Sequence, residues 1–139
     1  MTRFEHANLT VPDIDAAIKF IKIVAPDFDV RKDERPSEGI RWVHIGNEEY
    51  YLALQEPYLD TEPKKRLKAY KNYGINHLAL VVSNLQEIKK KLVDAGYKQS
   101  IETPEERYRK RVYYFDEAGF EWELIEYFSE KPSEKFLYE

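Results

Sequence analysis

Three residues of the chain have the types and positions to bind one metal ion together. His6 and His77 are two of only three histidines, and each occupies the same point of a segment that occurs twice. Glu123 lies between Trp122 and Leu124 in a short apolar run. Because side chains alternate across a strand, His6, His77 and Glu123 point away from the apolar faces of their strands and could converge. Two imidazoles and a carboxylate suit Fe(II), Zn, Ni or Mn.

The two histidines belong to an internal repeat. The segment FEHANLTVPDIDAAIKFI matches INHLALVVSNLQEIKKKL, which places His6 on His77 with an offset of 77 − 6 = 71. A later segment, RWVHIGNEEYYLALQE, resembles RVYYFDEAGFEWELIE with an offset of 111 − 41 = 70. We therefore predict a single domain with a first module, a linker, a second module and a charged tail, over 1–57, 58–73, 74–128 and 129–139.

Each module shows the same order of periodicities after its opening strand. In the first module Pro12 and Asp13 begin a helix, since proline suits a first turn and the Asp carboxylate accepts a free amide. In the second module Asn84 is the predicted N-cap, Glu87 completes a capping box, and Gly96 ends the helix in the left-handed conformation. Three β-rich runs follow each helix, near 28–32, 39–45 and 50–55, and near 97–101, 108–115 and 120–128. The sequence therefore predicts an α+β fold of two tandem βαβββ modules.

The composition excludes several classes of function. The 139 residues are 42% hydrophobic and 35% charged, which is typical of one folded domain with a real core. A net charge of −4 indicates neither a nucleic-acid surface nor an anionic membrane as partner. The absence of cysteine excludes disulfides and thiolate chemistry, and no apolar run approaches membrane-spanning length. We expect a cytoplasmic protein whose partner is a small molecule.

The order of elements and the segments HANLTVPDIDAAIKF, NHLALVVSNLQEI and DEAGFEWELIEY resemble the vicinal oxygen chelate superfamily. That group includes glyoxalase I, extradiol dioxygenases, fosfomycin-resistance enzymes and bleomycin-binding proteins. The resemblance covers nearly the whole chain apart from the linker and the tail. It implies a concave, partly barrel-like mixed sheet with the helices outside, and a homodimer.

The resemblance also implies a ligand set. In that family one metal lies between the two modules, with ligands from the first and last strands of each. The matching positions are His6, His77 and Glu123, and the fourth position holds Ala53, which cannot bind a metal. The predicted cofactor is accordingly a divalent ion held by three protein ligands.

Four residues are expected to contact substrate: Tyr51, Gln55, Arg111 and Tyr113. Tyr51 and Gln55 share the face of Ala53 by alternation, and Arg111 could meet an anionic substrate. The stretch VYYFDEAG followed by Glu123 is similar to the extradiol dioxygenase signature, in which the tyrosine at the position of Tyr113 contacts substrate near the iron. Glu117 stands where that signature has proline, and no histidine precedes Tyr113 at the expected distance.

The third histidine is expected to be structural. An offset of 70 places Val43 on Tyr113, so that Val43 would face the cavity and His44 the helix side.

The chemistry implied by the resemblance is chelation of two neighbouring substrate oxygens by the metal, which stabilises an enolate or oxyanion. Ala53 removes one of the two carboxylates used for proton transfer, which argues against a true lactoylglutathione lyase. An extradiol dioxygenase has the His/His/Glu set but also uses a further histidine beside the metal site as acid and base, and this chain has no spare histidine on the right face.

We predict a metal-dependent enzyme acting on a small oxygenated substrate, aromatic ones included. Dioxygenase chemistry stands ahead of lyase or isomerase chemistry, with Glu123 and Tyr113 as the catalytic residues. The alternative is a non-catalytic protein that sequesters an aromatic small molecule, as bleomycin-resistance proteins do.

Overall fold

The structure, a computed structural model, describes residues 1–59 and 67–138. It consists of two compact units, Met1–Leu67 and Lys68–Glu139. The elements of the first unit are β1 His6–Thr10, α1 Ile14–Val24, β2 Asp29–Glu34, β3 Trp42–Gly46 and β4 Tyr51–Gln55. Those of the second are β5 His77–Val81, α2 Leu85–Asp94, β6 Arg109–Phe115, β7 Glu121–Tyr127 and the short α3 Pro132–Lys135. The predicted α+β class is confirmed.

The predicted module and linker boundaries stay a prediction, since residues 60–66 of the linker lie outside the described residues.

The first unit has the predicted βαβββ order. Its four strands form one mixed sheet in the order β1-β4-β3-β2, with β1 parallel to β4 and the other pairs antiparallel. The carboxylate of Asp13 accepts the amide of Ala16 at 3.0 Å, so the predicted N-cap of α1 is confirmed. Helix α1 contacts β3, and the buried side chains of this core are Phe20, Ile21, Val24, Val43, Ile45, Leu52 and Leu54.

The second unit repeats this order with a reduced second strand. Its sheet has the order β5-β7-β6, with β5 parallel to β7 and β6 antiparallel to β7. Of the run predicted over 97–101, one bridge forms, between Gln99 and Tyr114. The backbone amides of Ser100 and Phe115 donate hydrogen bonds across this bridge at 2.7 and 2.9 Å. Pro104, which has no amide hydrogen, follows shortly after and cannot extend the ladder.

The start of α2 differs from the predicted capping box. Asn84 is the N-cap residue, as predicted, but it has a φ of +56° and its side chain makes no capping hydrogen bond, so the predicted capping box was wrong. The carboxylate of Glu126, from β7, instead accepts the amides of Asn84 and Leu85 at 3.3 and 3.2 Å. Gly96, predicted to be left-handed, has a φ of +84°. None of the helices in the described part of the chain is long and apolar enough to cross a membrane.

Candidate metal and substrate site

The second unit brings His77 and Glu123 into contact. His77 begins β5 and aligns with Glu121 of β7, whereas Glu123 aligns with Ala79. Nε2 of His77 lies 3.1 Å from Oε2 of Glu123. The Glu123 side chain is 10% exposed and that of His77 is 31% exposed, so the carboxylate is largely buried and the imidazole is partly open to solvent. The Nε2 atom of His77 and a buried oxygen of Glu123 therefore lie next to each other.

Arg111 neutralises the far side of this pair. Its guanidinium donates to Oε1 of Glu123 at 3.3 Å and to Oε2 of Glu106 at 2.8 Å. Burial alone would lower the pKa of Arg111, but its hydrogen bonds to Glu106 and Glu123 raise the pKa above the ordinary value. Arg111, which was predicted to contact substrate, is thus already paired with the carboxylates of Glu106 and Glu123. Glu106 was not predicted, since it lies in a loop with no periodicity to place it.

Tyr113 lies beside both members of the pair. It stands directly opposite Glu123 in the antiparallel β6–β7 ladder, and its ring packs edge-on against His77 with centroids 5.4 Å apart. Arg111 donates to its hydroxyl at 3.4 Å. Burial and the neighbouring Glu123 raise the pKa of Tyr113, so it stays a hydroxyl at neutral pH.

The opposite edge of His77 meets a second buried carboxylate that sequence analysis missed. Glu121 is 6% exposed and accepts hydrogen bonds from the hydroxyls of Tyr70 and Ser100. The Tyr70 oxygen also lies 3.1 Å from Nδ1 of His77. The hydrogen bond to Glu121, together with burial, raises the pKa of Tyr70 to about 12. With the offset of 70, Glu121 is the equivalent of Tyr51, which was a predicted substrate contact. The repeat could therefore have indicated Glu121 as a site residue.

In the first unit the predicted residues form a stacked face of rings. His6 stacks on Tyr51 with centroids 4.6 Å apart, and the guanidinium of Arg31 lies 5.0 Å from the same ring. Ala53 is 5% exposed and shares this face with Tyr51 and Gln55 by alternation along β4. Here the surface is aromatic, whereas the equivalent surface of the second unit carries charges.

His44 lies on this face, which contradicts the prediction that it points toward the helix. It stands directly opposite Ala53, and its ring lies 4.9 Å from that of Tyr51. Val43 is fully buried on the helix side. The reason lies in the turn that joins the last two strands of each unit. The offset between equivalent residues of the two units is 113 − 44 = 69 before this turn and 123 − 53 = 70 after it. The turn of the second unit is therefore one residue longer. His44, not Val43, is the equivalent of Tyr113.

The donors in the second unit fit a divalent ion in chemical type. Nε2 of His77 and Oε2 of Glu123 are atoms that such ions bind, and Arg111 leaves that oxygen free by engaging the other one. Among residues 1–59 and 67–138, no group of three or more His, Cys, Asp or Glu side chains is arranged to hold a metal ion. His77 and Glu123 are two of the three predicted ligands; His6, the third, belongs to the first unit.

Comparison with known proteins identifies the family. Residues 5–115 match the model of the Glyoxalase/Bleomycin resistance protein/Dioxygenase superfamily. The chain belongs to this superfamily. The match covers well over half of the chain and ends before β7, so Glu121 and Glu123 lie beyond it. None of the curated protein sequences matches the chain.

Solved structures of the superfamily share the fold at low sequence identity. A glyoxalase family protein from Bacillus cereus is 15% identical with a TM-score of 0.77, over 93% of this chain and 96% of that one. The fosfomycin resistance protein FosX from Listeria monocytogenes, in complex with Mn(II) and sulfate, is 13% identical with a TM-score of 0.67, over 99% of each chain. The trypanothione-dependent glyoxalase I of Leishmania major is 22% identical with a TM-score of 0.67, over 91% and 87%. The chain therefore has the glyoxalase fold.

Proposed function

We propose that the chain is a divalent-metal-dependent enzyme of this superfamily that acts on a small oxygenated substrate, with His6, His77 and Glu123 as ligands. The contact of 3.1 Å between His77 Nε2 and Glu123 Oε2 carries the proposal, because both atoms are metal donors. His6 joins them as the residue equivalent to His77 in the repeat. Mn(II) in the FosX structure supports a divalent ion, and Fe(II), Zn, Ni and Mn all suit the set.

The residues around the pair have distinct roles in this proposal. A bound ion would supply Lewis acidity toward two neighbouring substrate oxygens. The hydroxyl of Tyr113 donates a hydrogen bond to a substrate oxygen, since its raised pKa keeps it protonated. Glu123 accepts a proton, and Arg111 holds its carboxylate in place at 3.3 Å. Tyr51 and Gln55 of the first unit are proposed to contact the substrate.

For the reaction class we propose a dioxygenase ahead of a lyase or isomerase. The packing of Tyr113 against His77 supports this choice, because the extradiol signature places a tyrosine beside the metal ligands. Ala53 in place of a carboxylate disfavours the proton shuttle of a glyoxalase. Oxygen uptake with a simple catechol as probe tests it: turnover in the Fe(II)-loaded protein is the expected result, and its absence would point to lyase or isomerase chemistry.

A second candidate is a non-catalytic binder of aromatic small molecules. The observation in its favour is that the Glu123 carboxylate already has a cationic partner, since Arg111 donates to its Oε1 at 3.3 Å. The ring face of Tyr51, His6 and His44 would then stack on a planar ligand. In either case we propose a cytoplasmic homodimer whose partner is a small molecule, and light scattering after size exclusion tests the dimer.

Metal titration of three variants decides between the two candidates. His77→Ala and Glu123→Gln each remove one proposed ligand, and Glu117→Gln removes an exposed carboxylate as the matched control. We expect stoichiometric binding of Mn(II) or Zn(II) by wild type and Glu117→Gln, loss of it in His77→Ala, and binding weakened about tenfold or more in Glu123→Gln. A wild-type protein that binds no divalent ion while native mass spectrometry shows a retained aromatic compound would establish the binder instead.

A further inference from the structure

We propose that Tyr70, Glu121 and Ser100 form a positioning relay that holds His77 in one tautomer, with its hydrogen on Nδ1 and its Nε2 lone pair directed to the metal site. The role of the relay in metal binding rests on the proposed function. Its geometry lies wholly within the second unit. It adds three residues to the site, none of which is a ligand itself.

The relay follows from the number of hydrogens that Tyr70 and His77 can donate. Tyr70 has one hydroxyl hydrogen, and that hydrogen is donated to Glu121. The Tyr70 oxygen lies 3.1 Å from Nδ1 of His77, and having given its hydrogen away it can only accept there. Nδ1 of His77 must then be the donor. In a neutral imidazole this leaves Nε2 without a hydrogen.

Glu121 is the anchor of the relay. It is 6% exposed, and its two carboxylate oxygens accept from two hydroxyls, those of Tyr70 and Ser100. Nδ1 of His77 lies 3.7 Å from Glu121, which is too far for a direct hydrogen bond. Tyr70 therefore bridges the gap between the carboxylate and the ring. Because an ionised carboxylate can only accept, the hydrogens of both hydroxyls point toward Glu121.

Tyr70 is held in place for this contact. Its φ is +64°, a left-handed conformation that costs a residue with a side chain about 1 kcal/mol. The side-chain oxygen of Asn76 accepts the Tyr70 amide at 2.7 Å, which ties the loop to the residue just before His77. The loop and the ring are thus positioned together.

The consequence appears at the other nitrogen of the ring. With its hydrogen on Nδ1, His77 directs the Nε2 lone pair at a Glu123 oxygen 3.1 Å away. Two lone pairs at this distance repel each other, and a cation between them relieves the repulsion. The relay thereby prepares a donor pair for a cation in place of a simple hydrogen bond between His77 and Glu123.

The tautomer is measurable without any metal. The chain has three histidines, so ¹⁵N-histidine NMR of the full metal-free protein at alkaline pH gives three ring patterns, and His77→Ala assigns one of them. Tyr70→Phe removes the bridging hydroxyl and keeps the ring. Tyr73→Phe, in the same loop and fully exposed, is the matched control. We expect a hydrogen on Nδ1 of His77 in wild type and Tyr73→Phe, and a shift toward a hydrogen on Nε2 in Tyr70→Phe. The same tautomer in all three proteins would overturn the relay.

Mn(II) titration followed by electron paramagnetic resonance provides the second readout. Loss of an outer hydrogen-bond partner of a ligating histidine weakens metal binding about 10- to 100-fold, and we expect this range for Tyr70→Phe and Glu121→Gln. If Tyr70→Phe fails to fold, Glu121→Gln and Ser100→Ala carry both measurements. Wild-type protein that binds no Mn(II) contradicts the proposed function, while the tautomer still decides the relay. Wild-type affinity in folded Tyr70→Phe and Glu121→Gln would overturn it.

Discussion

Nε2 of His77 lies 3.1 Å from Oε2 of Glu123, across 123 − 77 = 46 positions of sequence. The contact exists because β5 and β7 are parallel neighbours in register, with His77 beside Glu121. Glu121 and Glu123 share one face of β7, so one carboxylate flanks each side of the imidazole. The first unit keeps the same register with Tyr51 and Ala53 at those positions, and so it lacks both carboxylates.

Ala53→Glu should strengthen metal binding. Ala53 occupies in its unit the position that Glu123 occupies in the other, since each faces the equivalent residue of the neighbouring strand. An added anionic ligand should raise the affinity for Zn(II) or Ni(II) about tenfold or more. It should also lower oxygenase activity, because it takes a coordination position that substrate or oxygen needs. Isothermal titration checks the affinity.

The control for that variant is Ala53→Leu, which adds similar volume without a donor. Ala53 is buried, so both substitutions should cost about 1–3 kcal/mol of stability by overpacking. Equal metal affinity in the folded Glu and Leu variants would show that position 53 does not face the ion.

The contribution of Asp116 to the free energy of unfolding should decrease as the pH rises through the acidic range. Burial raises the pKa of Asp116, an effect that the hydrogen bonds from Trp122 and the Phe120 amide only partly offset. A folded-state pKa above the unfolded one means that the folded protein holds the proton longer. This contribution to stability is therefore complete below the unfolded pKa and is lost as the pH rises through the folded pKa.

Urea denaturation at a series of pH values tests this against Asp116→Asn. The variant should be less stable at every pH, because one of the acceptors for the Trp122 indole and the Phe120 amide is lost. The difference between wild type and variant should shrink as the pH rises above about 4, the ordinary pKa of an aspartate, because the folded-state pKa is raised above it. Parallel stability curves over that range would contradict the raised pKa.

Glu126→Ala should destabilise the second unit through the start of α2. Its carboxylate accepts two amides that have no partner within the helix, and its negative charge lies at the positive end of the helix dipole. Loss of such a cap costs about 1 kcal/mol, which the midpoint of urea unfolding reports. Glu130→Ala, an exposed carboxylate after β7, should leave the midpoint unchanged. Equal midpoints for both variants would contradict the capping role.

Leu92→Ala and Val93→Ala should differ strongly although they are neighbours on α2. Leu92 is fully buried and Val93 is 58% exposed. Removing the Leu92 side chain leaves a cavity and should cost about 2–5 kcal/mol. The Val93 variant should stay within about 0.5 kcal/mol of wild type. Similar losses in the two variants would show that α2 packs through a different face.

The repeated order of elements could be predicted because it is written in local patterns. Alternating residues mark β1 and β5, and helical spacing with Asp13 at the start marks α1. Those patterns also place His77 and Glu123 on the polar faces of their strands, and the structure brings the two into contact. Each of these features depends only on residues close in sequence.

Contacts between distant segments depended on tertiary structure. The face of His44 turned on one extra residue in the connection between β6 and β7, which shifted the offset from 69 to 70. The cap of α2 came from Glu126, 126 − 84 = 42 positions after Asn84. No local pattern records which distant side chain will reach an unpaired amide.

The sequence by itself determined the α+β order, the repeat, and the strand faces that carry the histidines and Glu123, because hydrophobic periodicity acts within a few residues. Only the tertiary structure decided what surrounds them. Tyr70 joins Glu121 to His77, and Glu106 holds Arg111, through loops that have no periodicity. Strand register and loop path set those distances, and both are outcomes of packing across the whole unit.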